Sequence, residues 1–316
     1  MIPVLFGAAA LVGLGLADDA KTYAREANEY NAEAKSIVDN SKANAERAHN
    51  DLTYSLTNLG ETQRNIVNGE IKNFVGMMSQ IYEFEYRNNP SGIQKLERIG
   101  FKKKVLEEMK YLTNKAASFN SGGNSYGADG GSFTEMGVLS GIGAGAASMV
   151  LGTSMLSVAA PIALLYGWSN RNDAKKAKYE AMENLDKAKG YREECNNRIA
   201  VMSAVKTRSD QVNDLLYRLD GWYSWAVGNM GDIVRDWGYD FDSYSENAEA
   251  GVFYAYQLTE TMKIIIEAPL MQDEKTIHHL LDSKIQFGNK MLNLLDRVNK
   301  FKELNPEMKR MIAAAK

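Results

Sequence analysis

Four aspartates, Asp232, Asp236, Asp240 and Asp242, crowd one short stretch. Carboxylates at that density are the first groups in this sequence that could do chemistry, as ligands for a hard cation. A calcium loop needs oxygen donors at set positions closed by a bidentate glutamate. This spacing matches no such loop, and no glutamate is placed to close it. The histidines offer no better set. His278 and His279 are adjacent, so on a helix they point about 100° apart and cannot share one metal facially, and His49 is remote in the chain. Cys195 is the single cysteine, which excludes an internal disulfide framework and a multi-cysteine zinc site. It falls on the apolar stripe of its helix and reads as a buried thiol. The glycine-rich run from Phe119 to Phe133, FNSGGNSYGADGGSF, has neither a following Gly-Lys-Ser/Thr nor a preceding strand, so it is a loop and not a phosphate cradle. No nucleophile–base pair is visible. The expectation is a protein that is not an enzyme and that holds no metal or cofactor.

The chemistry that remains is that of lipid. Met136 to Asn170, MGVLSGIGAGAASMVLGTSMLSVAAPIALLYGWSN, carries no charged side chain. About 20 apolar residues suffice for a helix to cross a bilayer, so the run is long enough to span once with tilt or to enter and turn back. Gly137, Gly141 and Gly145 recur every four residues, and such small-residue rows let helix backbones approach closely in lipid. Pro161 removes a backbone donor and predicts a kink or hairpin turn near Ala159 and Ala160. Val150, Leu151, Leu164, Leu165 and Trp168 complete the candidate membrane-insertion set. The alternative is a Gly/Ala-rich core helix buried in protein. Arg171, Lys175, Lys176 and Lys178 follow the run, whereas Asp129 and Glu135 precede it. The positive-inside rule then makes the C-terminal flank cytoplasmic if a translocon inserts the segment. A second apolar stretch opens the chain: MIPVLFGAAALVGLGLA lacks the Lys/Arg of a secretory n-region and reads as a retained segment able to enter one leaflet. Its Ala-rich end leaves a signal peptide as the other reading.

The elements that must position these segments are long helices. From Asp18 to about Asn88 an apolar stripe passes through Ala20, Ala24, Ala27, Ala34, Val38, Ala45, Leu52, Leu56, Leu59, Ile66, Ile71, Phe74, Met78 and Ile81. Spacings of three, four and seven keep these on one slowly drifting face, a coiled-coil seam roughly 100 Å long. Asn88-Asn89-Pro90-Ser91-Gly92 is turn chemistry, and a further amphipathic helix is predicted from about Ile93 to Ser118. Lys102, Lys103 and Lys104 lie on it, as a solvated face or an acidic-lipid contact. A second long arm runs from about Asn172 to Tyr223, its stripe including Ala174, Ala177, Ala181, Leu185, Ala188, Cys195, Met202, Val212, Leu216 and Leu219.

The two arms share a weak repeat. DDAKTYAREANEYNAEAK from Asp18 lies over NDAKKAKYEAMENLDKAK from Asn172, an offset of 154 residues, with identities that include Ala20/Ala174, Glu26/Glu180, Ala27/Ala181 and Ala34/Ala188. Each copy follows directly on an apolar Gly/Ala segment, which predicts that both segments lie at one end of the paired arms. The aromatic region from Gly221 to Gly251 holds Trp222, Trp225 and Trp237 and is predicted to cap the core where helices meet. Two C-terminal helices are expected, about Val252 to Glu267 and Glu274 to Leu304, separated by Ala268-Pro269.

The fold class is therefore all-α, an elongated bundle of long coiled-coil-like helices with a Gly/Ala-rich apolar membrane segment. Its parts are an apolar N-terminal segment 1–17, a first arm 18–118, a Gly-rich loop 119–135, the membrane segment 136–170, a second arm 171–223, and an aromatic-rich connector with C-terminal helices 224–316. A formal net charge of −3, with Lys/Arg mixed among Asp/Glu, gives no basic face for nucleic acid.

This layout, long amphipathic helices enclosing an uncharged Gly/Ala-rich insert with extra helices closing the bundle, resembles the α-helical pore-forming proteins of the cytolysin A and tripartite enterotoxin class. The resemblance covers roughly residues 1 to 304 and rests on layout. It implies a segment sheltered in a soluble form that swings into a bilayer as the protein oligomerises. The expected partners are a lipid bilayer and further copies or other chains docked through the helical arms. The expected location is membrane-associated, either secreted without a standard signal peptide or in a bacterial envelope. The competing reading is a permanently membrane-anchored coiled-coil scaffold, or a subunit of an envelope or virion assembly.

Overall fold

The computed structural model describes residues 18–121, 171–270, 279–297 and 301–315, and among them there is no strand. Helix α1 (Asp18–Ile66) continues through a π turn, Val67–Ile71, into α2 (Lys72–Asn88). Then follow α3 (Pro90–Ile99), α4 (Lys103–Ser121), α5 (Arg171–Trp237), a 3-10 turn (Phe241–Ser243), α6 (Glu246–Ile266), α7 (His279–Leu295) and α8 (Phe301–Ala315). The chain divides into two compact units, residues 1–50 with 153–200 and residues 51–152 with 201–316.

In the first unit, the described residues of α1 and α5 form a pair held by alanine. Ala27 packs with Ala177 and Ala181, and Ala34 with Leu185 and Ala188, while Tyr30, Ile37 and Val38 flank the seam. Alanine suits this position because a side chain of one carbon lets two helix axes approach closely and costs no side-chain entropy. Lys178 Nζ meets Glu26 Oε2 at 2.7 Å, and Asn184 Nδ2 donates to Asn31 Oδ1 at 3.4 Å. Partners thus keep a nearly constant difference in residue number along the pair, so the helices are parallel.

The second unit surrounds α6. Every residue from Gly251 to Met262 is buried, which places this helix at the centre of the unit and explains why it is apolar on all sides. Ser245 caps it by accepting from the Ala248 N–H at 3.3 Å. Several of its buried polar groups find partners within the unit, though Gln257 Oε1 has none among the described residues. Gln257 Nε2 donates to Asn305 O at 2.8 Å, and Thr259 and Thr261 donate to the carbonyls of Ala255 and Gln257 at 2.8 and 2.9 Å. Gln63 meets Ile266 and Phe74 meets Tyr256, so α6 runs antiparallel to α1 and α2. Tyr223 and Thr259 share a hydrogen bond at 3.0 Å, which ties α5 to α6. Here too α1 and α5 are parallel: Ser209 Oγ donates to Ser55 O at 3.3 Å and Ser224 Oγ to Glu70 Oε1 at 2.8 Å, each across 154 residues.

Helix boundaries differ from the sequence reading in three places. The predicted helix from Ile93 is two helices, because Gly100 takes φ 105°, and the Phe101 N–H closes back on Leu96 O at 3.0 Å in a Schellman turn. The second arm continues past Tyr223 to Trp237, so the first part of the aromatic region is helical. The last predicted helix is also two, and α8 carries Pro306 inside it.

Candidate functional site

The feature that bears on the membrane reading is the start of the alanine-seamed pair in the first unit. Ala20 and Ala24 on α1 and Ala174 and Ala177 on α5 are all buried, so the seam reaches the first turn of each helix. Lys178 sits over the Tyr23 ring at 5.5 Å while pairing with Glu26, and that carboxylate raises the lysine pKa. Both side chains are partly covered, and because the pair joins the two helices across the seam it fixes their register. Asp18, Asp19 and Asp173 occupy first turns, where carboxylates complement the helix dipole. Because the helices are parallel and in register, their first residues, Asp18 and Arg171, lie at the same end of this unit. That placement is the one the repeat predicts.

The segments themselves, residues 1–17 and Met136–Asn170, lie outside the described residues, and with them Gly137, Gly141, Gly145, Val150, Leu151, Pro161, Leu164, Leu165 and Trp168. Among the described residues no helix is long and apolar enough to cross a membrane.

The aspartates separate. Asp232 and Asp236 pair with Arg235, at 2.9 and 3.4 Å, on the exposed face of α5. Asp240 precedes the 3-10 turn and Asp242 lies within it, and both meet Glu85, a residue with no distinguishing mark in the sequence. Glu85 is fully buried, and its Oε1 accepts the Asp242 N–H at 3.1 Å. Its carboxylate packs so closely over Gly92 that a Cβ there would lie 1.7 Å from Oε2. Burial pushes the Glu85 pKa up, opposed by backbone hydrogen bonds from Asp242 and Phe241. Asp242 is held on the other side by Ser91 at 3.0 Å, and Lys95 donates to its carbonyl at 3.0 Å. The cluster docks the turn after α5 onto α2 and α3. Among the described residues no group of three or more His, Cys, Asp or Glu side chains could hold a metal.

Cys195 is buried, as its place on the stripe predicts. The neighbouring Tyr191 phenol is pushed up to about 12 by burial and by its hydrogen bond with Cys195. His49 is half-buried, and burial lowers its pKa; the side chains of His278 and His279 lie outside the described residues. The aromatic region divides. Tyr223, Phe241 and Tyr244 are buried and serve as capping core, but Trp225 and Trp237 are 52% and 44% exposed, which corrects the expectation for those two tryptophans. Trp225 lies edge-on against Tyr254, with ring centroids 6.0 Å apart, so its indole covers the core from outside.

Clefts open among the described residues of the second unit. One, of about 380 Å³, is lined by residues that include Tyr82, Leu96, Phe101, Lys102 and Lys103. Another, of about 440 Å³, is crossed by the Lys263 ion pairs to Glu108 at 3.1 Å and Glu267 at 2.6 Å. Neither was legible in the sequence: the first depends on the turn at Gly100 that folds α3 back against α4 and α2, and the second brings α4 together with residues 260–269, Lys284 and Ala315. No protein-family model, curated protein or solved structure matches the chain.

Proposed function

We propose that this is a membrane-inserting helical protein, with Met136–Asn170 entering the bilayer and residues 1–17 joining it, and that it oligomerises through its helical arms. The observation that carries the reading is the parallel register of α1 and α5 in the first unit, which attaches both apolar segments to one end. A shared end lets two uncharged segments meet one bilayer together, and the row Gly137, Gly141, Gly145 supplies the close helix contact that association in lipid requires. Tyr179 and Met182, 59% and 40% exposed on α5, offer apolar surface to a further arm. Pore formation is the activity that the resemblance to the cytolysin A class implies for such an assembly.

Liposome flotation and dye release test the proposal on wild type, Gly141→Ile and Val150→Asp. Wild type floats and releases dye. Gly141→Ile floats but releases less, because the larger side chain separates packed backbones. Val150→Asp loses both, since a carboxylate at mid-bilayer costs about 2.5–3.5 kcal/mol on insertion scales. Equal behaviour of all three, or a wild type that neither floats nor leaks, assigns Met136–Asn170 to a protein core instead. A wild type that stays in water only with detergent and floats without releasing dye favours the permanently anchored scaffold.

A further inference from the structure

The elbow between α3 and α4 gathers cations that, among the described residues, have no carboxylate at ion-pair distance. Phe101 is buried there between Tyr82 and Tyr256, at centroid distances of 5.8 and 5.5 Å, and the Lys102 N–H donates to the Tyr256 hydroxyl at 3.2 Å. These contacts fix the start of α4, so Lys102 and Lys103 stand at the rim of the 380 Å³ cleft. Lys103 Nζ lies 5.4 Å from the Tyr82 ring centroid. Lys309 of α8 reaches the same elbow: its Nζ is 3.1 Å from where a Gly100 Cβ would lie, and 6.0 Å from the Phe253 ring centroid.

Lys104 has Glu108 at 3.6 Å. Among the described residues, Lys102, Lys103 and Lys309 have no carboxylate at ion-pair distance, and Glu97 is the acid that lines the cleft. The first turn of α4 contains no acidic residue, so lysines occupy the positive end of a helix dipole, where charge of their own sign is unfavourable. Cations stacked on aromatic faces recover part of that cost, and a bound anion would recover more. The cleft floor is apolar: Ile93 is partly exposed, and Leu96 and Phe101 are buried.

We propose that this cleft takes the phosphate of an acidic phospholipid, with Lys102, Lys103 and Lys309 supplying the charge and the apolar floor receiving the glycerol and first acyl carbons. The proposal rests on the membrane reading and adds a lipid class to it. The formal net charge of −3 opposes acidic membranes overall, so a preference for them has to come from a local site such as this one. A free phosphate has the charge but nothing to place on the apolar lining at Ile93, which is why the lipid is the ligand assigned.

Flotation with phosphatidylcholine vesicles, alone or mixed with phosphatidylserine, tests the site. Wild type partitions more strongly to the mixed vesicles, and the gain shrinks in high salt. Neutralising each lysine lowers that partitioning about fivefold, the factor equal to about 1 kcal/mol per cation near an acidic surface. Lys102→Gln/Lys103→Gln/Lys309→Gln together therefore lower it on the order of a hundredfold, with unchanged thermal unfolding. The triple variant at exposed Lys42, Lys72 and Lys290 matches its net charge and retains the wild-type preference. Equal loss in both triple variants, or no loss in the first, overturns the site. Suppression of the preference by millimolar inorganic phosphate overturns the lipid as ligand in favour of a free anion. Wild type that floats and leaks equally with both vesicle types overturns the site while leaving insertion standing. Binding to mixed vesicles without dye release leaves the site standing and removes pore formation.

Discussion

At the scale of single residues, the unusual groups are buried carboxylates. Asp220 on α5 is half-buried beside Glu70 in the π turn, and its Oδ1 has no hydrogen-bond partner among the described residues. Burial, and secondarily the Glu70 charge, push its pKa up to about 6 from an ordinary 3.8. The folded protein therefore holds this proton at pH values where the unfolded chain has lost it. Its contribution to stability is fully present below about pH 4 and is lost as pH rises through about 6. Asp220→Asn should remove that loss. Urea unfolding at pH 7.5 is expected to show the variant about 1 kcal/mol more stable than wild type, a figure discounted for the group's partial exposure, and the difference should vanish near pH 4. A variant less stable than wild type at pH 7.5 would mean that the ionised carboxylate has a compensating role. Nothing in the sequence marks Asp220 or Glu85, because a carboxylate in an acidic, helical chain is ordinarily solvated, and their burial depends on α5 and α2 meeting distant elements.

At the scale of elements, the seams and the break between Asn88 and Pro90 were legible, and the break at Gly100 was not. The stripe from Ala20 to Ile81 is buried along its length except for half-buried Val38, since residues three, four and seven apart share one face whatever packs against it. Even the direction of pairing could be read: a repeat at an offset of 154 that places Ala27 on Ala181 is the register of a parallel pair, and these side chains meet. Gly100 escaped because one glycine in an amphipathic pattern is equally a tolerated helix residue, and only its φ of 105° shows the elbow. The exposure of Trp225 and Trp237 escaped because aromatic composition signals burial on average without saying which side of a helix a ring takes. The seam in the second unit makes a direct prediction. Leu56 and Leu216 are 7% and 0% exposed, so Leu56→Asp and Leu216→Asp each bury an unpaired charge. Each should destabilise that unit by several kcal/mol in thermal or urea unfolding. Unchanged unfolding in both would remove the stripes as seams.

At the scale of the whole molecule, the feature that joins fold to proposed function is that the two helices following the apolar segments begin at the same end of the first unit. If those segments meet a bilayer together, then residues just past them on both helices approach its surface together. Thr22 and Lys176 are exposed, lie one and a half turns or less into α1 and α5, and are separated by the repeat offset. Glu46, also exposed, is farther along α1 from Thr22 by roughly 36 Å at 1.5 Å per residue, beyond the headgroup region of a bilayer entered at the other end. An environment-sensitive fluorophore is placed on Thr22→Cys, Lys176→Cys or Glu46→Cys in a Cys195→Ser background, and liposomes are titrated in. The labels at 22 and 176 should shift to the blue at the same lipid concentration and with the same rate, while the label at 46 keeps its aqueous emission. Response at 22 alone would mean that residues 1–17 engage lipid without Met136–Asn170, and response at 176 alone would mean the converse. Either outcome would show that the shared end does not act as one membrane-entering unit, even though the parallel pair that creates it is intact.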